Sequence, residues 1–423
     1  MDFNIIDNGN ILSLATTLQK EGNTVNVYIT TPYLRQNLYT GLVKPKPLFT
    51  LPQNTITING LRGENRHFPQ FKNQIGGNKV AERIELDRED GIKLAKTLGM
   101  RVPPYKVFTN KQAAITWLKQ QKETYVIKLG RNYANYSTLV AHDNEQIIKF
   151  LNELPAHIPD VLLQKKIDGI EISTEAWFNS HGKIINLNHT IEQKGLLDNN
   201  KGPATGCACT DAVWNVPADY WEEDLIGRYL FRLISFIQKI HYVGPWDINC
   251  IIENRTGIPY FLEFTPGLGY SALWAWGETL LTDWSAMFDK VFQTTPIECQ
   301  EDKIGYAVRI WLPPYPLELE DEKLAHQVFI KALRNAHLGK ANNLLNNPHI
   351  HLMDVIKEKD SIQCAGIDGI IAEISDSCEM NRPNFGRWSR HLKDFEHTRL
   401  CYRQDVGSRF MRILPKLKDL SLI

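Results

Sequence analysis

Between Gly244 and Gly269 the chain reads GPWDINCIIENRTGIPYFLEFTPGLG, two apolar runs on either side of a glycine-bearing turn. Each run carries oxygen-bearing side chains at alternate positions, Asp247 and Asn249 on the first, Glu263 and Thr265 on the second. Successive side chains of a strand point to opposite faces, so each pair shares a face. If the runs pair as a hairpin, four oxygen side chains converge, the donor set that a hard cation requires. The plainer reading of the Asp and the Asn is cross-strand hydrogen bonding.

A chain of 423 residues with 43% hydrophobic content is long enough for two or three domains, because single cores rarely grow beyond ~250 to 300 residues. Lys+Arg and Asp+Glu are equal at 48 each, so no global field points to a nucleic acid polymer or a membrane surface. Charged ligands must be handled locally. The start MDFNIIDNGN has neither a basic region nor an apolar core of signal length. No apolar run reaches the ~18 residues of a spanning helix, so a cytoplasmic protein is expected. Seven cysteines are scattered, and the close pair Cys207 and Cys209 has a single-residue spacer, unlike zinc-ligand spacing. Free buried thiols are expected.

At the N-terminus FNIID, NGN, ILSLATTLQKEG and TVNVYIT read strand, turn, helix, strand, the opening of a βαβ unit. The Pro-, Asn- and Gly-rich stretch that follows places a boundary after Gly77, giving domains 1–77, 78–300 (with a smaller lobe at about 106–180) and 301–423. KVAERIELDREDGIKLAKTLGM has helical spacing, YKVF is a strand, and Thr109 and Asn110 open the helix NKQAAITWLKQQ. TYVIKLG is a buried strand ending in Lys128. An edge lysine with its head in water is the ordinary explanation. The polar loop Gly130–Ser137 that follows favours a functional lysine. VLLQKKIDGIEISTEAWF gives two strands around Asp168 and Gly169, with Glu171 and Ser173 on one face. NNKGPATGCACTDA, glycine-bearing and aperiodic, suits a flexible phosphate or substrate loop. His349 and His351 alternate in HIH and could hold a metal, although such pairs are more often a surface face. ALWAWGETLLTDW reads as core or the wall of an acceptor pocket.

In this order the residues resemble the ATP-grasp ligases, and within them the glycinamide ribonucleotide synthetase (phosphoribosylamine-glycine ligase) family. GGNKVAERIE, with Lys79, is similar to that family's S-K-x-x-x-K segment, and YVIKL, with Lys128, to its V-V-K-A strand. QKKIDGIEIS looks like the hinge E-x-L-x-G-x-E-x-S. The resemblance implies that Lys165, Lys166 and Ile167 offer backbone to adenine and that Glu171 holds the ribose hydroxyls. EQKGLLDNNKGPATG is similar to D-H-K-R-L-L-D-G-D-x-G-P-N-T-G, which implies a catalytic Lys194 and substrate contacts at Gly202, Thr205 and Gly206. LEFTPG looks like the metal strand E-F-N, with Glu263, and Gly267 and Gly269 follow as substrate contacts. YRQDVGSR, Tyr402 to Arg409, resembles the family's Y-R-x-D-I-G-x-R tail and reads as a structural turn opening a helix.

The resemblance implies an α/β chain of ATP-grasp fold, with an N-terminal α/β (βαβ) domain and a C-terminal β-rich domain. It implies ATP and Mg²⁺ (or Mn²⁺) as cofactors, the metal held by Glu263, Asn249 and Asp247, and a monomer or homodimer. The implied reaction is ligation of glycine or a similar amino acid to an amine through an acyl phosphate. Lys79 and Lys128 would hold phosphates, and the loops Gly130–Ser137 and Asn199–Gly206 would close over the site.

Three segments depart from the family pattern. GRNYANYS stands for G-L-A-A-G-K-G, with Arg131 as the replacement cation. TPGLGYSALW stands for a segment with R-F-G-D-P-E. IIDNGNILSLA, with Asp7, stands for the phosphate nest G-S-G-G-R-E-H-A. The nucleotide half is thus largely kept and the acceptor half altered. An amine with a bulkier apolar or base-like part, stacking near Trp274 and Trp276, is the expectation. The alternatives are the orthodox ligase of purine biosynthesis and a catalytically weak nucleotide-binding relative.

Overall fold

The computed structural model describes residues 1–30, 38–129, 138–154, 161–317 and 322–423. They form two compact units, Met1–Ala81 with Ser173–Asp247 and Pro266–Ile423, and Glu82–Ile172 with Ile248–Thr265. The first opens with β1 (Asp2–Asp7), α1 (Ser13–Lys20) and β2 (Thr24–Ile29). β1 and β2 are parallel, with Phe3 opposite Val25 and Ile5 opposite Val27, the arrangement that the strand-helix-strand pattern requires. The Pro-, Asn- and Gly-rich stretch supplies two more parallel strands, β3 (Ile56–Asn59) and β4 (Asn73–Gly76), in the order β2-β1-β3-β4. Ile6, Tyr28, Leu51, Leu61 and Phe71 pack together as one of its cores.

The single helical pattern after Asn78 is two helices, α2 (Lys79–Leu86) and α3 (Arg88–Thr97). Asp87 divides them because its carboxylate caps the second, accepting Glu89 N–H at 3.1 Å and Asp90 N–H at 3.2 Å. The second unit continues through β5 (Tyr105–Phe108), α4 (Lys111–Leu118), β6 (Tyr125–Leu129), β7 (Thr138–Val140), α5 (Asn144–Glu153) and β8 (Val161–Lys165). Asn110 caps α4, accepting from Gln112 N at 2.7 Å. The four strands pair antiparallel in the order β5-β8-β6-β7 over a core that includes Ile115, Ile127, Ile147 and Leu163.

β9 (Gly169–Phe178) follows, then β10 (Ile184–Leu197), β11 (Lys201–Asn215), α6 (Gly227–Ile240), β12 (Gly244–Glu253) and β13 (Pro259–Pro266). Gly169, read from sequence as part of a turn, opens β9. A Cβ there would lie 2.2 Å from Ile252 O, so only glycine allows the backbones to come this close. The remaining elements are α7 (Tyr270–Gly277), α8 (Trp284–Lys290), β14 (Lys303–Trp311), α9 (Glu322–Leu333), β15 (His337–Lys340), α10 (Ala341–Asn346), β16 (Ile350–Leu352), β17 (Val355–Glu358), β18 (Ser361–Cys364), β19 (Ile370–Glu379) and α11 (Ser408–Asp419). In the first unit strands run in the order β9-β10-β11-β14-β19-β16, with a separate β15-β18-β17 sheet. The second unit holds most of the neighbouring pair β13-β12. The mixed α/β architecture with its β-rich C-terminal part agrees with the fold class read from sequence. All seven cysteines are free thiols, five of them buried. Among the described residues no helix is long and apolar enough to cross a membrane.

Candidate functional site

In the second unit, Lys128 lies near the end of β6 and is buried to 7% exposure. Its ammonium is therefore not the water-exposed head of an edge lysine. Its Nζ donates to Leu262 O on β13 at 3.1 Å, which holds the charge beside the strand that carries Glu263. Arg88, the first residue of α3, makes an ion pair with Glu263. Asn249 on β12 donates its Nδ2–H to Thr265 Oγ1 at 3.0 Å. That is the cross-strand hydrogen bond, and it is made by the amide nitrogen rather than by the oxygen that a hard cation takes. Two of the oxygen groups that opened the sequence argument are thus directly joined. Asp247, half-buried on β12, belongs to the first unit.

The hinge residues follow β8. Lys165 pairs with Glu123, and its N–H donates to Pro104 O at 2.7 Å. Lys166 N–H donates to Thr124 O at 2.9 Å and its Nζ to Ala141 O at 2.9 Å. Both lysine amides are thus used within the unit. Ile167 and Glu171 are half-buried, the latter on β9. Arg131 lies outside the described residues, as does the loop Gly130–Ser137.

In the first unit the segment expected to be an aperiodic loop is the tip of the β10-β11 hairpin. Asp198–Asn200 form a short 3-10 turn and the extended chain resumes at Lys201. Gly202 and Gly206 both have φ +78°; the missing periodicity reflects bulges between Ile191 and Leu197. Thr205 Oγ1 donates to Lys194 O at 3.2 Å. The tail motif holds this tip. Arg403 is fully buried and grips Asp405 with Nε–H at 3.0 Å and Nη2–H at 2.8 Å. It also donates to Gln193 Oε1 at 2.6 Å and to Gly195 O. Asp211 on β11 accepts Gly407 N–H at 2.8 Å and Phe410 N–H at 2.9 Å, fixing the start of α11.

The turn after β1 is filled from within. Asp7 is fully buried, and its Oδ2 accepts Gly9 N–H at 3.0 Å and Ile11 N–H at 2.9 Å. Its Oδ1 has no hydrogen-bond partner among the described residues. Desolvation outweighs the N–H contacts and pushes the carboxyl from its ordinary 3.8 up to about 6. Lys79 is exposed at the start of α2, and the Asn78 side chain caps that helix. Gly267 has φ +118° and donates its N–H to Pro245 O at 2.9 Å, while Gly269 caps α7.

Two expectations change. Trp274 and Trp276 are each 1% exposed. Trp274 stacks on His351 with centroids 4.0 Å apart, and Trp276 on Trp177 at 5.0 Å, so both are core and offer no face to an acceptor. His351 is likewise buried rather than part of a surface face. Sequence reasoning also missed three polar residues. Arg62 Nη2 donates to Leu268 O at 3.1 Å, setting a cation at the Gly267–Gly269 turn; Arg88 lies 175 residues from its partner. Glu175, held by Trp177 Nε1 at 3.0 Å and Asn188 Nδ2 at 3.2 Å, has its carboxyl pushed up to about 7 by desolvation. Only Glu175 left a signal, the continuing alternation of E-I-S-T-E.

Comparison with known proteins is consistent with this geometry. Residues 92–265, which contain Lys128, Glu171, Asn249 and Glu263, match the family described as phosphoribosylglycinamide synthetase, ATP-grasp (A) domain. A phosphoribosylamine-glycine ligase of Fusobacterium nucleatum is 21% identical over 356 residues, 80% of this chain and 79% of that protein. The crystal structure of the phosphoribosylamine-glycine ligase of Thermotoga maritima superposes with TM-score 0.73 at 16% identity, over 96% of this chain and all of that one. A biotin carboxylase of Campylobacter jejuni shares the fold at TM-score 0.60 and 12% identity, covering 97% and 95% of the two chains. With its strand lysine, hinge strand and carboxylate-bearing β13 set in that matched region, residues 92–265 form an ATP-grasp domain, and the chain as a whole resembles phosphoribosylamine-glycine ligase.

Proposed function

We propose that the protein joins the carboxylate of glycine or a similar amino acid to an amine at the expense of ATP, through an acyl phosphate, and that its amine is not the sugar phosphate its relatives' names denote. The observation that carries the first part is the placement of Lys128, Asn249, Thr265 and Glu263 in one compact unit within or at the edge of the matched region. Their chemistry suits a magnesium nucleotide: a buried ammonium for phosphate oxygens, and a carboxylate and an amide oxygen for a hard cation. When bound, Mg²⁺-ATP would supply the phosphoryl group and neutralise its charge. Lys128 holds its ammonium beside β13 and Arg88 fixes the Glu263 carboxylate, while Glu171 would hold the ribose hydroxyls of a bound nucleotide. The observation that carries the second part is Asp7, whose carboxylate takes the N–H groups that a phosphate would need.

The Arg88–Glu263 pair favours a second reading, nucleotide binding without turnover, because a guanidinium on the carboxylate competes with a cation. ADP release from Mg²⁺-ATP and glycine over a panel of amines tests both. Release that requires both an amine and an amino acid is the expected result. ATP binding in calorimetry with no ADP from any pair supports the second reading, and no nucleotide binding at all overturns both.

A further inference from the structure

Away from these residues, the first unit gathers Glu278, just past α7, His349, just before β16, and Asp376 on β19. One ligand atom from each lies within 4.8 Å of the others. The three come from separate elements, and each is half-buried or buried. The neighbouring side chains set their orientation. Glu278 Oε1 lies 2.9 Å from His349 Nδ1 and accepts Ser375 Oγ–H at 2.6 Å. Ser375 in turn lies 2.8 Å from His351 Nε2. With its hydroxyl proton directed at Glu278, Ser375 accepts from His351, which fixes that imidazole as the neutral Nε2–H tautomer. His351 is stacked on Trp274 and cannot swing away.

On the other side, Asn347 accepts His349 N–H at 3.0 Å and donates to Asp394 Oδ2 at 2.7 Å. Those two bonds fix its amide, so the Nδ2–H that it sends to His391 Nδ1 at 3.0 Å makes that nitrogen an acceptor. His391 Nε2 lies 3.5 Å from Asp376 Oδ2 and 3.4 Å from Arg390 Nε. With both ring nitrogens engaged by neighbouring side chains, His391 packs beside Asp376 rather than competing as a ligand. Arg390, half exposed, donates Nη2–H to Asp376 Oδ2 at 3.2 Å and is the counter-ion that a bound cation would displace.

We propose that Glu278, His349 and Asp376 bind one divalent transition ion, zinc or a close analogue, as a structural clip between the end of α7, the β16 segment and β19. One imidazole nitrogen and two carboxylates match the borderline preference of Zn²⁺ and leave a fourth position for water. The two carboxylate charges balance the ion. Ser375, His351 and His391 form the outer ring that such sites use to hold their ligands in register. This site is independent of the nucleotide chemistry and stands whether or not the ligase reading holds.

The test uses the full-length protein, dialysed against metal-free buffer, loaded with ZnCl₂ and freed of excess ion, with zinc measured by plasma mass spectrometry. About one ion per chain is expected for wild type, and a melting temperature that rises with zinc and falls with a chelator. Glu278→Gln, which keeps the side-chain shape, and His349→Ala should each lose the ion while retaining the wild-type circular dichroism spectrum. Ser375→Ala touches no metal and should weaken zinc affinity by roughly 10- to 100-fold, an effect that adventitious binding at surface histidines would not show. Co²⁺ loading gives a second readout, visible bands that disappear in Glu278→Gln. Wild type retaining less than a tenth of an equivalent, or zinc content and Co²⁺ bands unchanged in Glu278→Gln and His349→Ala, would overturn the proposal.

Discussion

At the scale of single residues, Asp7 makes a sharp claim. Its folded-state pKa, about 6, lies above the ordinary 3.8, so the folded chain binds that proton more tightly than the unfolded chain does. The resulting stability is fully present below about pH 4 and is lost as the pH climbs through about 6. A shift of roughly two pH units corresponds to about 3 kcal/mol at most. Asp7→Asn keeps an oxygen for the Gly9 and Ile11 N–H groups and removes the charge. Urea melts should show it close to wild type at pH 4 and more stable by about 1 to 3 kcal/mol at pH 8. A difference that does not grow with pH would mean that Asp7 is not titrating inside the fold. At the candidate nucleotide site, Glu263→Gln should reduce ADP release more than tenfold with an unchanged melting temperature. Lys128→Met keeps the buried stem and should weaken ATP by ~1.5 to 3 kcal/mol, the worth of a charge-assisted phosphate contact. Equal ATP affinity in titration calorimetry would remove Lys128 from the site. Lys128, Asn249 and Glu263 were legible because alternation exposes a polar residue in an apolar run. Arg88 and Arg62 were not, because their partners lie 175 and 206 residues away and no local pattern records that.

At the scale of elements, local periodicity and tertiary demand diverge most at the β10-β11 hairpin. The sequence of its tip is glycine-bearing and aperiodic, so it read as a loop; the tip is built on Arg403, more than 200 residues away in the chain. Replacing that guanidinium by Lys leaves Asp405, Gln193 Oε1 and Gly195 O short of donors in a buried setting, since one ammonium cannot reproduce the planar fork. Arg403→Lys should cost about 2 to 4 kcal/mol, the scale of breaking a buried ion pair. Hydrogen exchange at residues 193–200 should quicken before exchange elsewhere in the same sheet. Unchanged protection there would show that the tail does not hold the hairpin. The opening βαβ unit was legible for the opposite reason, since strand, turn and helix follow one another with matching periods. β3 and β4, four residues each, were hidden because such short strands in a Pro-, Asn- and Gly-rich stretch give almost no period to count. Asp87 divided one apparent helix into two because capping chemistry overrides a continuous apolar stripe.

At the scale of the whole molecule, the choice of amine has to be made locally, because equal numbers of acidic and basic residues leave no overall field to draw in a dianion. A sugar phosphate needs several N–H donors or cations, and the turn after β1 is where an α/β unit ordinarily provides them. Here Asp7 occupies that turn, and above about pH 6 its carboxylate is charged. A like-charge contact at about 4 Å costs roughly 1 kcal/mol even at the dielectric of bulk water and more where water is excluded, so a preference of about tenfold against phosphoribosylamine follows. The buried Trp274 and Trp276 remove the aromatic wall expected for a base-like acceptor, so the proposed change of amine rests on what the turn refuses rather than on what stacks. Phosphate release with glycine, ATP and freshly generated phosphoribosylamine should therefore be slower than with at least one uncharged or cationic amine in a panel. Asp7→Gly frees the Gly9 and Ile11 N–H groups and should raise the phosphoribosylamine rate about tenfold while leaving the preferred amine nearly unaffected. A wild-type efficiency for phosphoribosylamine of ~10⁴ M⁻¹s⁻¹ or above, with no better amine found and no gain in Asp7→Gly, would show that the buried carboxylate does not set the acceptor and that the ligase keeps the substrate of its relatives.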